Sequence, residues 1–523
     1  MKNEESQAYT SDELSGGVEV TMYFLYTINM LKRGEKAYFV GIKGTGMCAL
    51  AELMRNSGIT VSGSDTKEVF YTDDILRELG IPFHESFEAE HIEGSSPDML
   101  IYSAAYSAET NAEIAEAQRR GIPTLKFSEA LGAYSAGFDS TGITGVHGKT
   151  TTTAIAGALL KGAGLPAQIL AGSAVSCFGG RSTINMGDKY FVAETCEYRR
   201  HFLSFHPQRI ILTSVESDHQ DYYPSYEDIR EAFIDYGKLL PFGGQLIYCV
   251  DDPGATEVAM TLKKEDKGII LVPYGFSADG DFKIESYQVV NERIIIRLKA
   301  FPGEFRIRIP GRHTALNAAA AIALCSLLVK KEFGSESSDG WNEKRQEGLK
   351  NALEEFSGSK RRAEILGEAD GILFMDDYGH HPTAIRTTLA GLKEFYPGRR
   401  LIVSFMSHTY TRTAMLLDEF AASFDDADLV LLHKIYSSAR EVYQGGVNGR
   451  TLFEKTCGAF GGDGGGRVFY TEECEDAYEL MTGLLREGDL FITMGAGDNW
   501  RLGKKLFEHY RNSRTENEFR RGV

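Results

Sequence analysis

Short runs of apolar residues alternate with amphipathic stretches along most of the chain. The runs at 37–42 and 99–102 are followed by stretches with helical apolar spacing at 46–57 and 109–120. This alternation is typical of α/β proteins, in which crossover helices join parallel strands. The pattern therefore predicts mainly parallel sheets with helices between the strands. Further apolar runs continue it at 142–144, 190–193, 209–212, 245–250, 372–375, 401–405, 429–432 and 490–494.

Two segments depart from this alternation, and two others have the composition of linkers. Residues 282–309 are rich in strand patterns and predict an antiparallel addition to the middle of the chain, whereas the polar segment 334–348 predicts a surface loop. The segments 134–141 and 357–360 are small and polar. A chain of 523 residues is too long for one hydrophobic core. We therefore expect three domains, at 1–138 (with 1–35 as an N-terminal extension), 139–356 and 357–523.

The composition excludes several classes of protein. Hydrophobic residues make up 42% and charged residues 25%, as in soluble globular proteins. The net charge of −18 argues against binding to nucleic acid or to anionic membranes. Seven cysteines without a Cys-x-x-Cys pair favour the reducing cytoplasm over a disulfide framework or a zinc site. No continuous apolar run reaches the roughly 18 residues of a membrane span, so we expect no stable membrane association. The segment 20–31 lacks a basic start and predicts a short strand or helix rather than a signal peptide.

A glycine-rich loop joins the first predicted strand to its helix. Gly44, Gly46 and Ala49 have the spacing Gly-x-Gly-x-x-Ala, and Asp65 ends the next predicted strand. In Rossmann-like domains such glycines let the backbone approach a pyrophosphate, and the helix N-terminus favours its negative charge. The loop predicts a Rossmann-like first domain that binds a diphosphate, and by itself it favours NAD. The alternative is a tight turn without a ligand.

A second loop, from Thr141 to Thr153, again joins a strand to a helix. Gly145, Gly148, Lys149 and Thr150 are typical of a loop that wraps phosphates with backbone N–H groups and places an ammonium at the β/γ oxygens. The spacing departs from the standard P-loop, because Ile143 stands where that motif has glycine. An ATP-type loop has no place in a dehydrogenase. It predicts a P-loop-type central domain and weakens the interpretation of the first loop as an NAD site.

A triphosphate site needs a metal ion, and three positions could supply ligands. The hydroxyl of Thr150 or Thr151 is placed to meet Mg²⁺. Glu194 and His219 lie at or just beyond the ends of downstream strands, where α/β sheets bind their substrates. A carboxylate is a hard ligand suited to Mg²⁺, and an imidazole is less usual. The alternatives are a solvated strand end for Glu194 and a local hydrogen bond for His219.

Several further blocks accompany the two loops. They are Glu194-Thr-Cys-Glu-Tyr-Arg-Arg-His-Phe-Leu203, Asp218-His219, Gly311-Arg-His-Thr-Ala-Leu-Asn317, Asp376-Asp-Tyr-Gly-His-His-Pro382, Phe405-Met-Ser-His-Thr-Tyr-Thr-Arg-Thr413 and Gly495-Ala-Gly497. With the two loops, they resemble the Mur ligase family over about 37–507. The resemblance implies three domains, for a UDP-sugar, ATP and an amino acid, with a Rossmann-like C-terminal domain.

The resemblance also implies an activity and its site residues. The reaction is ATP- and Mg²⁺-dependent formation of an amide between L-alanine and the lactyl carboxylate of UDP-N-acetylmuramate, through an acyl phosphate, in peptidoglycan precursor synthesis. The implied catalytic residues are Lys149, Glu194, His219 and Arg412. Those implied for ATP are Gly145, Val146, His147, Gly148, Lys149, Thr150, Thr151, His313, Asn317 and Arg361. Those implied for the UDP-sugar are Gly44, Thr45, Gly46, Met47, Ser64, Asp65 and Ser103. Those implied for the reacting carboxyl and the amino acid are His380, His408 and Arg412, and those for Mg²⁺ are Thr150, Glu194 and His219.

The chain departs from the family pattern at a few positions. Val146 stands where threonine is usual, which a loop that works through backbone N–H groups tolerates. Lys43 replaces a common glycine, and Tyr38 a common histidine. Thr314 stands where asparagine is frequent. Thr409 replaces a frequent arginine, so Arg412 is the main remaining anion contact in its block.

Other functions compete with this interpretation. A related ligase attaches a recycled peptide to the same UDP-sugar. In it the block before His-His-Pro tends to read Phe-Ala, whereas this chain has Tyr378 and Gly379. An NAD-dependent oxidoreductase is disfavoured by the second loop with Glu194 and His219. A non-catalytic nucleotide-binding regulator is disfavoured by the presence of Lys149.

Overall fold

The computed structural model describes residues 33–334, 342–437, 441, 443, 445–461 and 464–521, with side chains as far as 512. The predicted segment 20–31 and nearly all of the N-terminal extension lie outside the described residues. Within them, the chain forms three sheets in succession along the sequence.

The first sheet has five parallel strands in the order β3-β2-β1-β4-β5. Helices cover both faces, so the central strands are buried on both sides and read as continuous apolar runs. This order is the one expected of a Rossmann-like domain. The strands are β1 (Lys36–Val40), β2 (Thr60–Ser64), β3 (Phe83–His84), β4 (Met99–Tyr102) and β5 (Thr124–Lys126). The helices are Thr45–Asn56, Tyr71–Glu78, Ala89–Ser95, Ala112–Arg119 and Phe127–Ser135.

The second sheet has ten strands in the order β15-β14-β13-β12-β11-β10-β6-β9-β7-β8. Strands β13 to β15 are antiparallel to one another and join the parallel part through β12, which confirms the prediction for 282–309. The strands are β6 (Asp139–Thr144), β7 (Ala167–Val175), β8 (Arg181–Asn185), β9 (Tyr190–Glu194), β10 (Arg209–Leu212), β11 (Gln245–Cys249), β12 (Ile270–Gly275), β13 (Phe282–Val289), β14 (Ile294–Leu298) and β15 (Phe305–Ile307). The helices are Lys149–Ala163, Tyr226–Gly237, Pro253–Lys264, Arg312–Phe333 and Glu343–Glu355, with 3₁₀ turns at Ser176–Phe178 and Tyr198–Ser204.

The third sheet has six strands in the order β16-β17-β21-β18-β19-β20, parallel except for the edge strand β16. The α/β fold class with mainly parallel sheets is thus confirmed. The strands are β16 (Glu364–Ala369), β17 (Ile372–Asp377), β18 (Arg400–Met406), β19 (Leu429–Leu432), β20 (Val468–Tyr470) and β21 (Asp489–Gly495). The helices are Pro382–Phe395, Tyr410–Met415, Leu417–Ala421, Gly449–Ala459, Ala477–Leu484 and Trp500–Arg521, with a 3₁₀ turn at Gly464–Gly466.

The prediction of a polar loop over 334–348 is wrong for its second half. The helix Glu343–Glu355 begins there, with the Asn342 side chain accepting the Arg345 N–H as its N-cap. Its buried face carries Leu349 and Leu353, and it packs closely on the helix Lys149–Ala163. Because the helix is polar on every other face, two leucines four residues apart were too weak a signal.

One helix among the described residues, Arg312–Phe333, is long and apolar enough to cross a membrane, and 72% of its apolar window is buried inside the protein. It packs on the helix Lys149–Ala163 and on the strands β11 to β13. Its alanines and leucines belong to the central hydrophobic core, so packing within the protein accounts for its apolar composition.

The hydrophobic clusters do not stop at the borders between sheets. One cluster joins Leu131 and Tyr134 of the first domain to Phe191 and Phe205 of the central domain. At the same border a side chain at Gly132 would collide with the Ser204 carbonyl. A second cluster runs from the central sheet into the third. Apart from two cavities, the borders between the sheets are therefore packed interiors.

Candidate functional site

The loop at 145–148, called the phosphate loop here, joins β6 to the helix Lys149–Ala163. Gly145 and Gly148 have φ angles of 132° and 82°, which favour glycine. A side chain at Gly145 would also collide with the Thr213 hydroxyl, and one at Gly148 with the Asn317 amide. Both glycines are thus required for the path of the loop, which brings the helix N-terminus to the central cavity described below.

The segment after β10 holds the phosphate loop from its other side. The Val146 N–H donates to the Ser214 carbonyl at 3.0 Å, and the His147 N–H donates to the Ser214 hydroxyl at 2.9 Å. The Thr213 hydroxyl donates to the His147 carbonyl at 2.5 Å. Since Val146 and His147 use their N–H groups in this way, the N–H groups of the first helical turn are the ones left to bind an anion.

The Lys149 ammonium pairs with a carboxylate that the sequence analysis did not assign. Its Nζ lies 2.9 Å from Oε2 of Glu197 and donates to the Gly145 carbonyl at 2.5 Å. Burial is the largest single influence and lowers the pKa of Lys149, but Glu197, Cys196 and Glu194 together outweigh it and the net shift is upward. Burial also opposes ionisation of Glu197, yet Lys149 and His219 hold the pKa of that carboxyl below its usual range. Both groups are therefore charged at neutral pH.

The three implied metal ligands line one cavity. Thr150, Glu194 and His219 all contribute to its wall. The Glu194 Oε2 is buried and has no hydrogen-bond partner among the described residues, and a side chain at Gly172 would collide with it. The His219 Nε2 lies 3.4 Å from Oε1 of Glu197. An orphaned carboxylate oxygen that shares a cavity with a hydroxyl and an imidazole fits a divalent cation such as Mg²⁺.

This central cavity has a volume of about 870 Å³ and lies between the central and third domains. His313 and Asn317, at the start of the helix Arg312–Phe333, line it beside the phosphate loop. Burial, followed by the nearby His147, lowers the pKa of His313 to about 4, so its imidazole is neutral at pH 7. Of the other residues implied for ATP, the cavity is lined by Val146, His147, Gly148, Lys149, Thr150 and Thr151.

Arg361 is not on the wall of this cavity, contrary to its implied contact with ATP. Its Nε donates to Asp376 at 2.9 Å, and its Nη2 donates to the carbonyls of Gly495 and Gly497. Arg361 has a φ of 59°, a left-handed conformation, and the next residue, Arg362, lines the cavity instead. Of the two adjacent arginines, Arg362 and not Arg361 therefore faces the central cavity.

Arg412 lines the central cavity, but its guanidinium is held by a neighbour from another domain. Its Nε and Nη2 donate to Oδ1 of Asp218 at 3.0 and 2.6 Å, and both side chains are only 6% exposed. Its Nη1 lies 3.2 Å from Nδ1 of His408. Burial opposes ionisation of Asp218, but Arg412, His219 and His380 together outweigh it and hold the pKa of Asp218 well below its usual range. Two of the N–H groups that were expected to bind an amino-acid carboxylate are thus donated to Asp218 in this structure.

His380 and His408, the two histidines implied for the reacting carboxyl and the amino acid, lie on the same wall of the cavity as Arg412. The rings of His380 and His408 are 5.7 Å apart and perpendicular, and both line the cavity. The His380 Nδ1 lies 2.9 Å from the Tyr378 carbonyl. Burial, followed by the charge of Arg412, holds the pKa of His380 well below its usual range. A neutral His380 whose Nδ1–H donates to Tyr378 can therefore accept a hydrogen bond at Nε2 from an incoming amine.

A second cavity, of about 250 Å³, lies between the first and central domains. Gly44, Gly46, Met47 and Ser103 line it, as the resemblance implies. A side chain at Gly46 would collide with the Phe127 ring, so glycine is required there. Glu194 and Cys196 line both this cavity and the central one. The two cavities are therefore adjacent, with these two residues between them.

Three other residues implied for the UDP-sugar lie beside this cavity rather than on its lining. Asp65 accepts the backbone N–H of Lys43 at 2.7 Å and of Thr66 at 2.8 Å. The Ser64 hydroxyl donates to the buried carboxylate of Glu113. The Thr45 hydroxyl accepts a hydrogen bond from Tyr71 at 3.1 Å. Asp65 and Ser64 hold the loop and the end of β2 in place here.

The departures at Lys43 and Tyr38 have structural partners. The buried Lys43 Nζ lies 2.9 Å from Asp73 and 3.3 Å from Glu85, so its ammonium forms ion pairs within the first domain. The Tyr38 hydroxyl donates to Glu113 at 2.9 Å. Lys43 does not line the second cavity.

Three consecutive segments of the chain match models of one protein family. Family models match residues 36–139 (Mur ligase family, catalytic domain), 143–325 (Mur ligase middle domain) and 361–497 (Mur ligase, glutamate ligase domain). The chain belongs to the Mur ligase family.

Individual members of the Mur ligase family are similar over nearly the whole chain. The UDP-N-acetylmuramate–L-alanine ligase of Treponema pallidum is 52% identical over 478 residues, which cover 91% of this chain and 97% of the relative. The corresponding ligase of Borrelia garinii subsp. bavariensis is 37% identical over 470 residues, 89% of this chain and 97% of the relative. The crystal structure of the Thermotoga maritima UDP-N-acetylmuramate–alanine ligase superimposes with a TM-score of 0.71 at 25% identity, covering 91% of this chain and 99% of that one. Family membership excludes the oxidoreductase interpretation.

Proposed function

We propose that this chain joins L-alanine to the lactyl carboxylate of UDP-N-acetylmuramate at the expense of ATP, as the names of its relatives describe for them. The observation that carries the proposal is the pair of adjacent cavities that share Glu194 and Cys196. One of them is lined by the phosphate loop and the other by the glycine-rich first loop. A substrate carboxylate between them lies next to both nucleotide sites. Because the reaction makes a precursor of peptidoglycan, we also propose that the enzyme works in the cytoplasm.

The first chemical step brings two anions together. A lactyl carboxylate oxygen attacks the γ-phosphorus of ATP in line, the bond to the β,γ-bridging oxygen breaks, and ADP leaves. Lys149 neutralises charge on the transferred group, and the helix N-terminus at residues 148–150 orients the phosphates. When bound, Mg²⁺ supplies further charge neutralisation, and Thr150, Glu194 and His219 are the residues proposed to hold it. No nucleophile from the protein is needed.

The second step needs an uncharged amine. The amino nitrogen of alanine attacks the acyl carbon, and inorganic phosphate leaves with the bonding electrons. The imidazole of His380, kept neutral by burial and Arg412, is proposed to orient the amine by accepting a hydrogen bond from it, and the amine proton passes to the leaving phosphate. His408 and Arg412 are proposed to orient the alanine carboxylate from the same wall of the cavity. Closure of the third domain excludes water from the acyl phosphate.

Release of inorganic phosphate tests this function directly. With ATP and Mg²⁺, we expect phosphate release that requires both UDP-N-acetylmuramate and L-alanine, and a product whose mass increases by one alanyl residue. Serine and glycine serve as competing amino acids, and a recycled tripeptide tests the related peptide ligase. Addition of NAD should leave the rate unchanged. A rate that depends on the tripeptide and not on L-alanine would contradict the proposal.

Glu194→Gln should raise the Mg²⁺ concentration needed for half-maximal rate by at least about tenfold. The change keeps the size of the side chain but replaces the anionic oxygen, whose charge favours a hard divalent cation. A titration of the steady-state rate with Mg²⁺ at saturating ATP measures this. Glu332→Gln is a suitable control, because Glu332 pairs with Lys189 near the protein surface and does not line either cavity. An unchanged Mg²⁺ dependence of Glu194→Gln would remove Glu194 from the metal site.

A further inference from the structure

The Glu216 carboxylate connects the phosphate loop to the third domain. It lies in the segment that follows β10, and its Oε1 pairs with Nε2 of His147. Its Oε2 accepts a hydrogen bond from the Thr383 hydroxyl at 2.9 Å. One side chain of the central domain therefore contacts both the loop that wraps the phosphates and a helix of the third domain.

Glu216 remains ionised in this position. Burial raises the pKa of a carboxyl group, but the hydrogen bond and charge of His147, with the hydrogen bond from Thr383, bring the pKa of Glu216 below its usual range. Its side chain is 28% exposed, on the wall of the central cavity. Hydrogen bonds to an ionised carboxylate are stronger than those between neutral groups. Both contacts are therefore of the stronger kind.

On the side of the phosphate loop, the carboxylate acts on a residue that is already fixed at its backbone. The His147 N–H donates to Ser214, and its carbonyl accepts from Thr213. Glu216 adds the third contact, to the imidazole. His147 directly precedes Gly148, where the φ of 82° turns the chain into the helix that begins at Lys149. Glu216 thus contacts the side chain of the residue that directly precedes the turn into this helix.

On the side of the third domain, Thr383 lies in the first turn of the helix Pro382–Phe395. The helix follows directly after His380 and His381, which line the cavity. Thr383 therefore moves together with the part of the third domain that lines the central cavity. A hydrogen bond to Glu216 forms only when the third domain lies against the phosphate loop.

We propose that Glu216 is a positioning residue that couples docking of the third domain to the shape of the phosphate loop. The expected effect on turnover rests on the proposed function. The expected effect on nucleotide affinity requires only that the site binds a nucleotide. Glu216 does not touch the reacting atoms. It acts through His147 on one side and Thr383 on the other.

A transition-metal site is the competing interpretation of the same cluster. Potential ligand atoms of His147, Glu216 and His381 lie within 4.8 Å of one another. However, the His381 Nδ1 accepts the Thr383 backbone N–H at 3.3 Å, which places the ring proton of neutral His381 on Nε2. In this tautomer Nε2 carries a proton that has no partner among the described residues, so His381 could ligate a metal ion only by giving up its hydrogen bond with Thr383. The hydrogen-bonded arrangement therefore favours a contact between domains over a metal site.

A double-mutant cycle on Glu216 and Thr383 tests the proposal. We expect Thr383→Val to lower kcat about tenfold, which is typical of losing one hydrogen bond to a charged group, and Thr383→Ser to restore it to within about twofold. The matched control is Thr482→Val, whose hydroxyl bonds only to the Glu479 carbonyl of its own helix. In a Glu216→Ala background, Thr383→Val should add less than twofold, because the acceptor of the Thr383 hydrogen bond is absent.

Affinity for a non-hydrolysable ATP analogue, measured by calorimetry in the same four variants, separates this proposal from the proposed function. If the wild-type protein forms no alanyl product, the function is wrong, but non-additive nucleotide affinities still support the contact between domains. Additive effects of the two changes, or a Thr383→Val protein that equals Thr482→Val, would overturn the role of Glu216. Equimolar Zn²⁺ that raises the Tm of the wild type but not of Glu216→Ala would also overturn it in favour of a metal site.

Discussion

Lys149→Ala is expected to lower the rate of ATP-dependent ligation by roughly 10² to 10³, the loss typical of removing one preorganised charge contact in a transition state. The Lys149 ammonium is the cation of the phosphate loop, and it lies beside the carbonyl of Gly145 and the carboxylate of Glu197. The rate of phosphate release at saturating substrates measures the effect. Lys161→Ala, in the last turn of the same helix, is the control.

The same change should also destabilise the fold. It leaves the carboxylate of Glu197, whose side chain is 2% exposed, without its ammonium partner and with the His219 imidazole 3.4 Å away, and breaking a buried ion pair typically costs about 3–5 kcal/mol. The double variant Lys149→Ala, Glu197→Gln removes that unpaired charge. We expect it to regain most of the lost Tm but none of the lost rate. Recovery of the rate together with the Tm would show that Lys149 acts through stability alone.

Arg412→Lys has the second large effect that we expect. Lysine keeps the charge but cannot offer the two N–H groups that Arg412 gives to Oδ1 of Asp218, nor the third that faces His408. The expected loss is about 1.5–3 kcal/mol, typical of hydrogen bonds to a charged group. It should appear as a higher KM for L-alanine or a lower kcat, with the affinity for ATP little changed. Steady-state kinetics with each substrate varied in turn measures this.

A matched pair in the third domain separates catalysis from stability. Arg400 also binds a buried carboxylate with two N–H groups, those of Nε and Nη2 to Asp489, at 2.9 and 2.7 Å. Neither residue lines a described cavity. Arg400→Lys should therefore lower the free energy of unfolding without changing the KM for L-alanine. If Arg412→Lys has only the same effect as Arg400→Lys, Arg412 serves the interface between domains and not the amino acid.

The pH dependence of the Asp218–Arg412 pair has a definite sign. The pKa of Asp218 is lower in the folded chain than the roughly 3.9 of an unfolded aspartate. The stabilisation is therefore complete above about pH 4 and is lost as the pH falls towards the folded pKa. At neutral pH the pair remains intact.

The sequence predicted those parts of the site that depend on local backbone geometry. Both glycine loops lie between a strand and a helix, as their spacing requires, and Thr150, Glu194 and His219 line one cavity. These positions are set by strand ends, which apolar runs reveal. The antiparallel strands after residue 282 were predicted for the same reason.

The parts that were missed depend on contacts between distant segments. Glu197 reaches Lys149 because the chain turns sharply into the 3₁₀ turn after β9, and no periodicity signals that turn. Asp218 meets Arg412 across 194 positions of sequence. The choice between Arg361 and Arg362 depends on a left-handed residue, and adjacent arginines give no sign of which one adopts it.

The apolar cluster that joins the first and central domains bears on how the chain can be divided for experiments. A cut near residue 138 follows the topology, but it would expose the aromatic faces of Tyr134 on one piece and of Phe191 and Phe205 on the other. Exposed patches of this kind cause aggregation. Ligands of the glycine-rich first loop are therefore best screened on the intact chain. A fragment that contains only the first sheet would report its own instability before it reported any affinity.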